Sequence, residues 1–393
     1  MRTLVVSDLH LGARSQCDLL RMARPREALL NALPGFDRLV LLGDVIELRQ
    51  GPVTDILAVA EEVLGEIGSA LGPGREAIVV PGNHDHQLAA AWLARRARNG
   101  ACAPAGLERA ADSAPLGLES DVDSAPLGLE SAVDCYAGEL LGAVVGWLAP
   151  ARVRVAYPGV WLRDDLYAIH GHYGDRHTTV PMLERLGAGA MARIVREAAS
   201  GPRCAEDYEA ALGPLYAWID SIAQSAVGEV GRASQGVSVT AWRALTGTGR
   251  SASLRRRGLV AMFPVLVAGL NRAGLGPLRA DLSREELRRA SLRAFDEVLA
   301  RLHVTPAHVI FGHTHRAGPL VGETRREWTT RSGTQLLNIG SWIHETGLIG
   351  DAPRQSPYRP GFCAVVGDEG PPELRNLLDE VQAPTRRSEP GRV

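Results

Sequence analysis

Leu4-Val5-Val6 runs into Asp8-Leu9-His10. The same pattern returns at Leu39-Val40-Leu41-Leu42 before Gly43-Asp44 and Glu47, and at Ile78-Val79-Val80 before Gly82-Asn83-His84-Asp85. Each apolar run has the length and composition of a buried strand, and polar, glycine-containing turn residues follow at once. Val309-Ile310-Phe311 before Gly312-His313-Thr314-His315 repeats the pattern, and Leu166-Tyr167-Ala168-Ile169 before His170-Gly171-His172 is a weaker version of it. Polar groups at the ends of adjacent strands converge above a sheet, where open α/β folds place their sites. Carboxylate, imidazole and amide oxygen form a mixed nitrogen and oxygen donor set suited to Mn, Fe, Zn or similar divalent cations.

Around these segments the N-terminal part alternates strand and helix. Strand 2–7 precedes a helix near 16–32, strand 38–42 a helix near 54–71, and strand 77–81 a helix near 86–98. Such alternation predicts a layered α/β sheet. Strand returns late in the chain, at 307–311, Leu336 to Ile339 and Phe362 to Val366.

Between these blocks the pattern changes twice. Ala103-Pro104-Ala105-Gly106-Leu107-Glu108 recurs as Ala114-Pro115-Leu116-Gly117-Leu118-Glu119 and as Ala125-Pro126-Leu127-Gly128-Leu129-Glu130, every 11 residues. Proline and glycine in every copy exclude a continuous helix, so 103–135 reads as a repeat-expanded surface loop. From 136 to 300 the pattern is mostly helical, interrupted by 152–170, which reads as two strands feeding His170. Pro181 opens a helix to about Ala199, and Ser283 with Glu286 forms a capping box for a helix to about Leu302. The expected organisation is core 1–102, loop 103–135, core 136–179, helical insertion 180–304, core 305–381 and a disordered tail 382–393.

The 393 residues carry 43 basic against 45 acidic groups, a net charge of −2, with 45% apolar residues. That is an ordinary globular composition without a global field for a polyanion. Every basic residue is arginine, as expected of GC-rich bacterial coding rather than of a functional demand, and the lack of lysine excludes Schiff-base lysine chemistry. The five cysteines are scattered and contain no C-x-x-C pair, arguing for a reducing compartment and against a zinc ribbon. The longest apolar run, Leu259 to Leu270, contains Pro264 and falls short of the roughly 20 residues a membrane span needs. With no signal peptide ahead of the first strand, a cytoplasmic location is expected.

The ordered blocks D-x-H, G-D-x-x-E, G-N-H-D, a strand-terminal His and G-H-x-H resemble the calcineurin-like metallophosphoesterase superfamily. The resemblance covers about 2–90, 160–175 and 305–345. It implies a four-layer α/β/β/α metallophosphoesterase sandwich with a helical insertion acting as a cap. It also implies two divalent metal ions, with Mn first and Fe, Zn, Co or Ni as alternatives. One would take Asp8, His10, Asp44 and His315, and the other Asp44, Asn83, His170 and His313, with Asp44 bridging. Two cations so close can bridge a hydroxide and stabilise in-line displacement at phosphorus.

By the same resemblance His84 faces the scissile phosphate as a catalyst, and Asp85 orients it and favours imidazolium. His170 matches the family's ligand position; His172 is the alternative ligand, or a group behind the ligands or on phosphate. Arg14, Arg176, Tyr173 and His177 flank the motifs, and the arginines offer a bidentate fork to phosphate oxygens. Asn338-Ile339-Gly340-Ser341 is either a family segment beside the ligands or an ordinary strand exit.

The expected activity is metal-dependent hydrolysis of a phosphomonoester, phosphodiester or pyrophosphate by metal-bridged hydroxide attack. Glu47 and the helical insertion resemble the UDP-2,3-diacylglucosamine pyrophosphohydrolase branch, which often has Arg at the position of His84. The expected substrate is a small phosphorylated compound, with nucleotide-diphospho and lipid-linked compounds as candidates, and peripheral membrane contact is left open. A nuclease of the same superfamily is the alternative enzyme, disfavoured by the charge balance and the lack of a basic stripe. A non-catalytic scaffold of this fold would have lost ligands or the catalytic His, and none is missing here.

Overall fold

β1 (Thr3–Val6), β2 (Arg38–Leu42) and β3 (Glu76–Val80) form where the apolar runs predict them and pair in parallel. The computed structural model describes residues 1–98, 127–135, 138–181, 183–198, 200–224, 254–350 and 353–382. β4 (Glu130–Ala132), β5 (Arg152–Arg163), β6 (Leu166–Ile169), β7 (His308–Phe311), β8 (Ala317–Gly318), β9 (Gln335–Ile339), β10 (Phe362–Val366) and β11 (Glu373–Asn376) complete the strands. The hydrogen-bonded order is β11-β10-β1-β2-β3-β5-β6-β7-β9-β8, with β4 pairing β5.

The 12-residue β5 joins two arms of this mixed sheet. Its first half runs parallel to β3, from Arg152 opposite Glu76 to Val155 opposite Val79. Its second half runs antiparallel to β6, with Gly159 opposite Ile169. Within the second arm β6, β7 and β9 are parallel.

Alternation along the strands divides the core in two. Val5, Val40, Leu42, Ile78 and Val80 of the first arm share one buried cluster with Leu166, Ala168, Ile310, Leu337 and Ile339 of the second. Every residue of that cluster comes from a strand, so the two arms cover each other. Each such side chain would lose about 2 kcal/mol if left in water, so the face cannot stay open. The opposite face, Leu4, Val6, Leu39, Leu41, Ala77 and Val79, joins the helical core. In α2 (Val53–Leu71) a stripe of Ile56, Ala60, Val63, Leu64, Ile67 and Leu71 supplies the covering side. Strands inside and helices outside is the α/β arrangement of the metallophosphoesterase fold, here with the two sheets continuous through β5.

Local differences from the sequence reading have identifiable causes. α1 spans Ala23–Ala32 rather than starting near 16. Asp18 is held instead by the Gly12 N–H at 3.0 Å and by Arg21, and the Leu19 N–H donates to Trp342 O, so this stretch braces the first loop. α3 is Gln87–Arg98 and α4 is Glu139–Trp147. α5, Leu183–Ile194, stops short of Ala199, with Arg196 in the left-handed region at φ 56°.

The first two repeat copies lie outside the described residues. The end of the third is no surface loop: Leu127 is buried in the helical core and Glu130 begins β4, antiparallel to β5. There the Glu130 carboxylate accepts the Trp161 N–H at 2.8 Å and pairs with Arg154.

The insertion contains α5, α6 (Ala205–Gln224), α7 (Leu254–Arg272) and α8 (Arg284–Arg301). The Ser283 capping box is present, the Glu286 N–H donating to Ser283 Oγ at 3.2 Å. α8 is a layer on the sheet rather than a cap. Phe295 stacks on Phe311 of β7 with ring centroids 4.3 Å apart.

Among the described residues no helix is long and apolar enough to cross a membrane. Cys17, Cys135 and Cys204 are free thiols.

Candidate metal centre

The ends of β1, β2, β6 and β7 meet at one place because parallel neighbours in register deliver their C-terminal loops to the same edge. The loops after β1 and β2 continue the ladder. Asp8 N–H donates to Gly43 O at 3.1 Å, His10 N–H to Asp44 O at 2.8 Å and Leu11 N–H to Val45 O at 2.8 Å. Eight described non-glycine residues have positive φ, and five of them are Asp8, His10, Asp44, His313 and His315. L-residues there carry about 1–2 kcal/mol of strain each, and its concentration at one point marks a functional site. The approach is tight enough to require glycine beside it. A Cβ at Gly82 would run into Asp44 Oδ1, and one at Gly312 into Ser7 Oγ.

Three histidine–carboxylate groupings of metal-binding size result: Asp8 with His10 and His315, His10 with Asp44 and His84, and Asp44 with His170 and His313. In the first, His10 Nε2 lies 3.2 Å from His315 Nε2. Asp8 Oδ1 is 3.4 Å from His315 Nε2 and 3.8 Å from His10 Nε2, and is buried with no hydrogen-bond partner. A buried oxygen left unpaired beside two facing imidazole nitrogens is the donor set of a cation, so these residues fit a divalent metal.

In the other grouping Asp44 Oδ2 is 3.1 Å from His170 Nε2, and Asn83 Oδ1 is 3.2 Å from the same nitrogen. Asp44 Oδ2 also stands 3.9 Å from His10 Nε2, so this carboxylate lies between the two sets.

Most of these ligand candidates are fixed from behind. His170 Nδ1 donates to Leu42 O at 3.0 Å, which turns the Nε2 lone pair toward Asp44. Glu47, fully buried, takes Nδ1 of both His10 and His84 at 2.8 Å. Asp175 Oδ1 pairs with His313 Nε2 at 2.8 Å. Asn338 donates from Nδ2 to Gly312 O at 3.2 Å and to Thr314 Oγ1 at 2.8 Å, so that segment steadies the last His pair.

Asp85 does not orient His84. Its oxygens accept backbone N–H groups of Gly82 at 2.6 Å, Asp44 at 3.3 Å, Val45 at 2.8 Å and Ile46 at 3.4 Å. It pins the Asp44 loop, and Glu47 is the carboxylate that holds His84. Adjacent turn residues point apart, so neighbouring in sequence did not make them partners.

The electrostatics follow from this packing. Burial alone would raise Asp44, but the charge of His170 and then His84 holds it well below the usual carboxylate range. Glu47 is likewise depressed against its burial, chiefly by His84. Burial pushes His170 down, yet Asp44 and Asp8 raise it to about 9. His315 also rises to about 9 against its burial, through the Asp8 carboxylate beside it. Protons and cations therefore compete for these nitrogens.

Other expected site residues lie elsewhere. His172 is buried beside His170 but joins none of the three groupings; its Nε2 meets Tyr157 OH at 3.3 Å, and burial pushes its pKa well down. Arg176 is ion-paired with Glu197 rather than reaching the centre. Arg14 is exposed, its guanidinium lying over Gly51. Tyr173 donates to Glu209 at 2.6 Å, and His177 Nε2 pairs with Tyr208 OH at 2.7 Å.

Sequence reasoning missed the supporting roles of Asp175, Glu209 and His86, and quoted Glu47 without a role. Only Glu47 had a motif position to give it away.

No curated protein matches the chain. The histidine–aspartate clusters fit a metal-dependent phosphoesterase. Residues 1–185 match the family model described as calcineurin-like phosphoesterase, and this match, joined at the same centre by His313 and His315 from beyond it, supports placing the chain in the metallophosphoesterase superfamily.

Proposed function

We propose that the chain is a dinuclear metal-dependent phosphoesterase that hydrolyses a phosphomonoester, phosphodiester or pyrophosphate bond. The observation that carries this reading is Asp44, one carboxylate lying between two histidine groupings. Asp8, His10, Asp44 and His315 would hold one cation, and Asp44, Asn83, His170 and His313 the other. When bound, such a pair supplies Lewis acidity to phosphoryl oxygens and lowers the pKa of water, with Mn the first metal to try.

The chain's own contribution is orientation and proton handling. Glu47 holds His84 by Nδ1, which leaves Nε2 as the atom able to give a proton to the leaving oxygen. Asp85 keeps the Asp44 loop in place through four backbone N–H groups. The neutral amide of Asn83 limits negative charge at its cation. The substrate is a small phosphorylated compound, and Glu47 with the helical insertion favours the UDP-2,3-diacylglucosamine pyrophosphohydrolase-like branch. Scattered cysteines without a C-x-x-C pair support a reducing, cytoplasmic setting.

Metal analysis of purified protein, with turnover of bis-p-nitrophenyl phosphate and a panel of sugar nucleotides in Mn, tests the reading. Two cations per chain and metal-dependent turnover are expected. Fewer than two cations at saturation, or no hydrolysis of any ester, would overturn it.

A further inference from the structure

Glu209 lies on insertion helix α6, yet its side chain is only 11% exposed and reaches in behind the metal centre. Its Oε1 accepts the hydroxyls of Tyr157 and Tyr173, each at 2.6 Å, and its Oε2 pairs with His86 Nε2 at 2.9 Å. A carboxylate so far removed from water is tolerated only with this many donors. Burial would raise Glu209, but the charge of His86 and its bond hold it below the usual range, so it stays ionised.

Two of those three partners belong to the segments that carry one cation's ligands, and the third packs against the His170 turn. His86 is three residues beyond Asn83, Tyr173 three beyond His170, and Tyr157 stands on β5 beside His172. The single Tyr157 proton goes to Glu209, so its oxygen accepts from His172 Nε2 at 3.3 Å. That leaves His172 Nδ1 as a lone pair, buried and without a hydrogen-bond partner. The His172 ring lies against that of His170, centroids 5.6 Å apart. Tyr208, next to Glu209 on α6, stacks on Tyr173 at 4.4 Å with the ring planes 4° apart. The helix thus grips the His170-to-Tyr173 turn by ring stacking and by hydrogen bond together.

We propose that Glu209 is a positioning residue through which the helical insertion completes the Asn83–His170–His313 side of the metal centre, clamping the two loops that supply Asn83 and His170. The inference rests on the dinuclear reading above. On the other side, Asp8, His10 and His315 are braced by Glu47 and by the paired first loops, which α6 meets through Arg49, paired with Asp220 and lying over Tyr216. Losing Glu209 should therefore weaken one cation and spare the other.

Mn(II) titrated into the metal-free full chain by calorimetry tests this, with Glu209→Ala, Glu209→Gln and Tyr173→Phe beside the wild type. Partners that orient ligands typically set affinity by about 10–100-fold. In Glu209→Ala one Mn should weaken by about tenfold while the other keeps its affinity, and excess Mn should restore kcat. Glu209→Gln, which keeps an acceptor for the tyrosines, should fall between. Tyr173→Phe keeps the stack and removes one donor, so it gives a folded variant should Glu209→Ala not fold, and a smaller loss at the same cation is expected. Unchanged affinities for both cations in the folded variants, even with a lowered Tm, would overturn the inference and leave a merely structural contact. A wild type that binds fewer than two Mn would instead bring down the dinuclear reading itself.

Discussion

The two arms of the sheet supply ligand candidates to the same centre but support them differently. In the first arm, Asp8, His10 and Asp44 sit on loops that zip to each other through backbone bonds, and Asp85 closes the set through four N–H groups. All of this happens within the first 90 residues. In the second arm, His170, His313 and His315 depend on groups from far along the chain. His170 leans on Leu42 O, His313 on Asp175, and the His170 turn on Glu209 of the insertion. Backbone ladders between neighbouring parallel loops hold geometry with little side-chain entropy to overcome, whereas side-chain braces must order rotamers first. The first arm's paired loops are thus tied mainly to one another, and the second arm's histidines mainly to groups distant in the chain.

The largest effect expected is at the residue both arms share. Asp44→Asn should abolish turnover and lower the occupancy of both cations, measured by metal analysis and bis-p-nitrophenyl phosphate hydrolysis. Full activity with two cations would remove Asp44 from the shared position.

His84 comes next, since it stands beside the first arm's ligands and also falls within a metal-sized grouping with His10 and Asp44. As a proton donor it should cost about 10²–10⁴-fold in kcat on replacement by Ala, with two cations retained. Esters with activated leaving groups should suffer least. A His84→Ala protein that loses metal along with activity would make it a ligand.

The braces sharpen the comparison directly. Asp85→Asn removes a buried anion that four N–H groups face, and should cost about 3 kcal/mol of stability with a clear loss of metal affinity. Asn338→Ala in the second arm removes three bonds between neutral groups and should cost about 1 kcal/mol, read from urea unfolding. Equal losses in the two would erase the distinction between the arms.

The smallest effect belongs to Arg176→Ala. Its guanidinium pairs with Glu197, so kcat and KM should stay within about twofold, as for a typical partly exposed ion pair. A large rise in KM would bring Arg176 back as a phosphate contact in the working enzyme.

How much of this was legible in the sequence depended on the kind of constraint. The strands before Asp8, Asp44, Asn83 and His313 were readable because both-face burial demands unbroken apolar runs, and alternation then assigned each residue a face. The ligand candidates were readable because carboxylate, imidazole and amide at strand ends have few other uses. The third repeat copy was misread, since its Pro and Gly signalled a loop while Leu127 and Glu130 found an unfilled edge beside β5. Arg176 was misread because proximity in sequence to His170 says nothing about where a long side chain turns.

The sequence by itself determined where the core strands lie along the chain, the residue types at the centre and the order of the ligand-bearing loops, because periodicity and turn chemistry are local properties of the chain. Only the tertiary structure decided that Glu47 and not Asp85 holds His84, that His170 and not His172 faces Asp44, and that Glu209 reaches His86 across 123 positions. A hydrogen bond near 2.8 Å depends on the direction of both partners. Those directions are set by how distant elements pack, which no local pattern encodes.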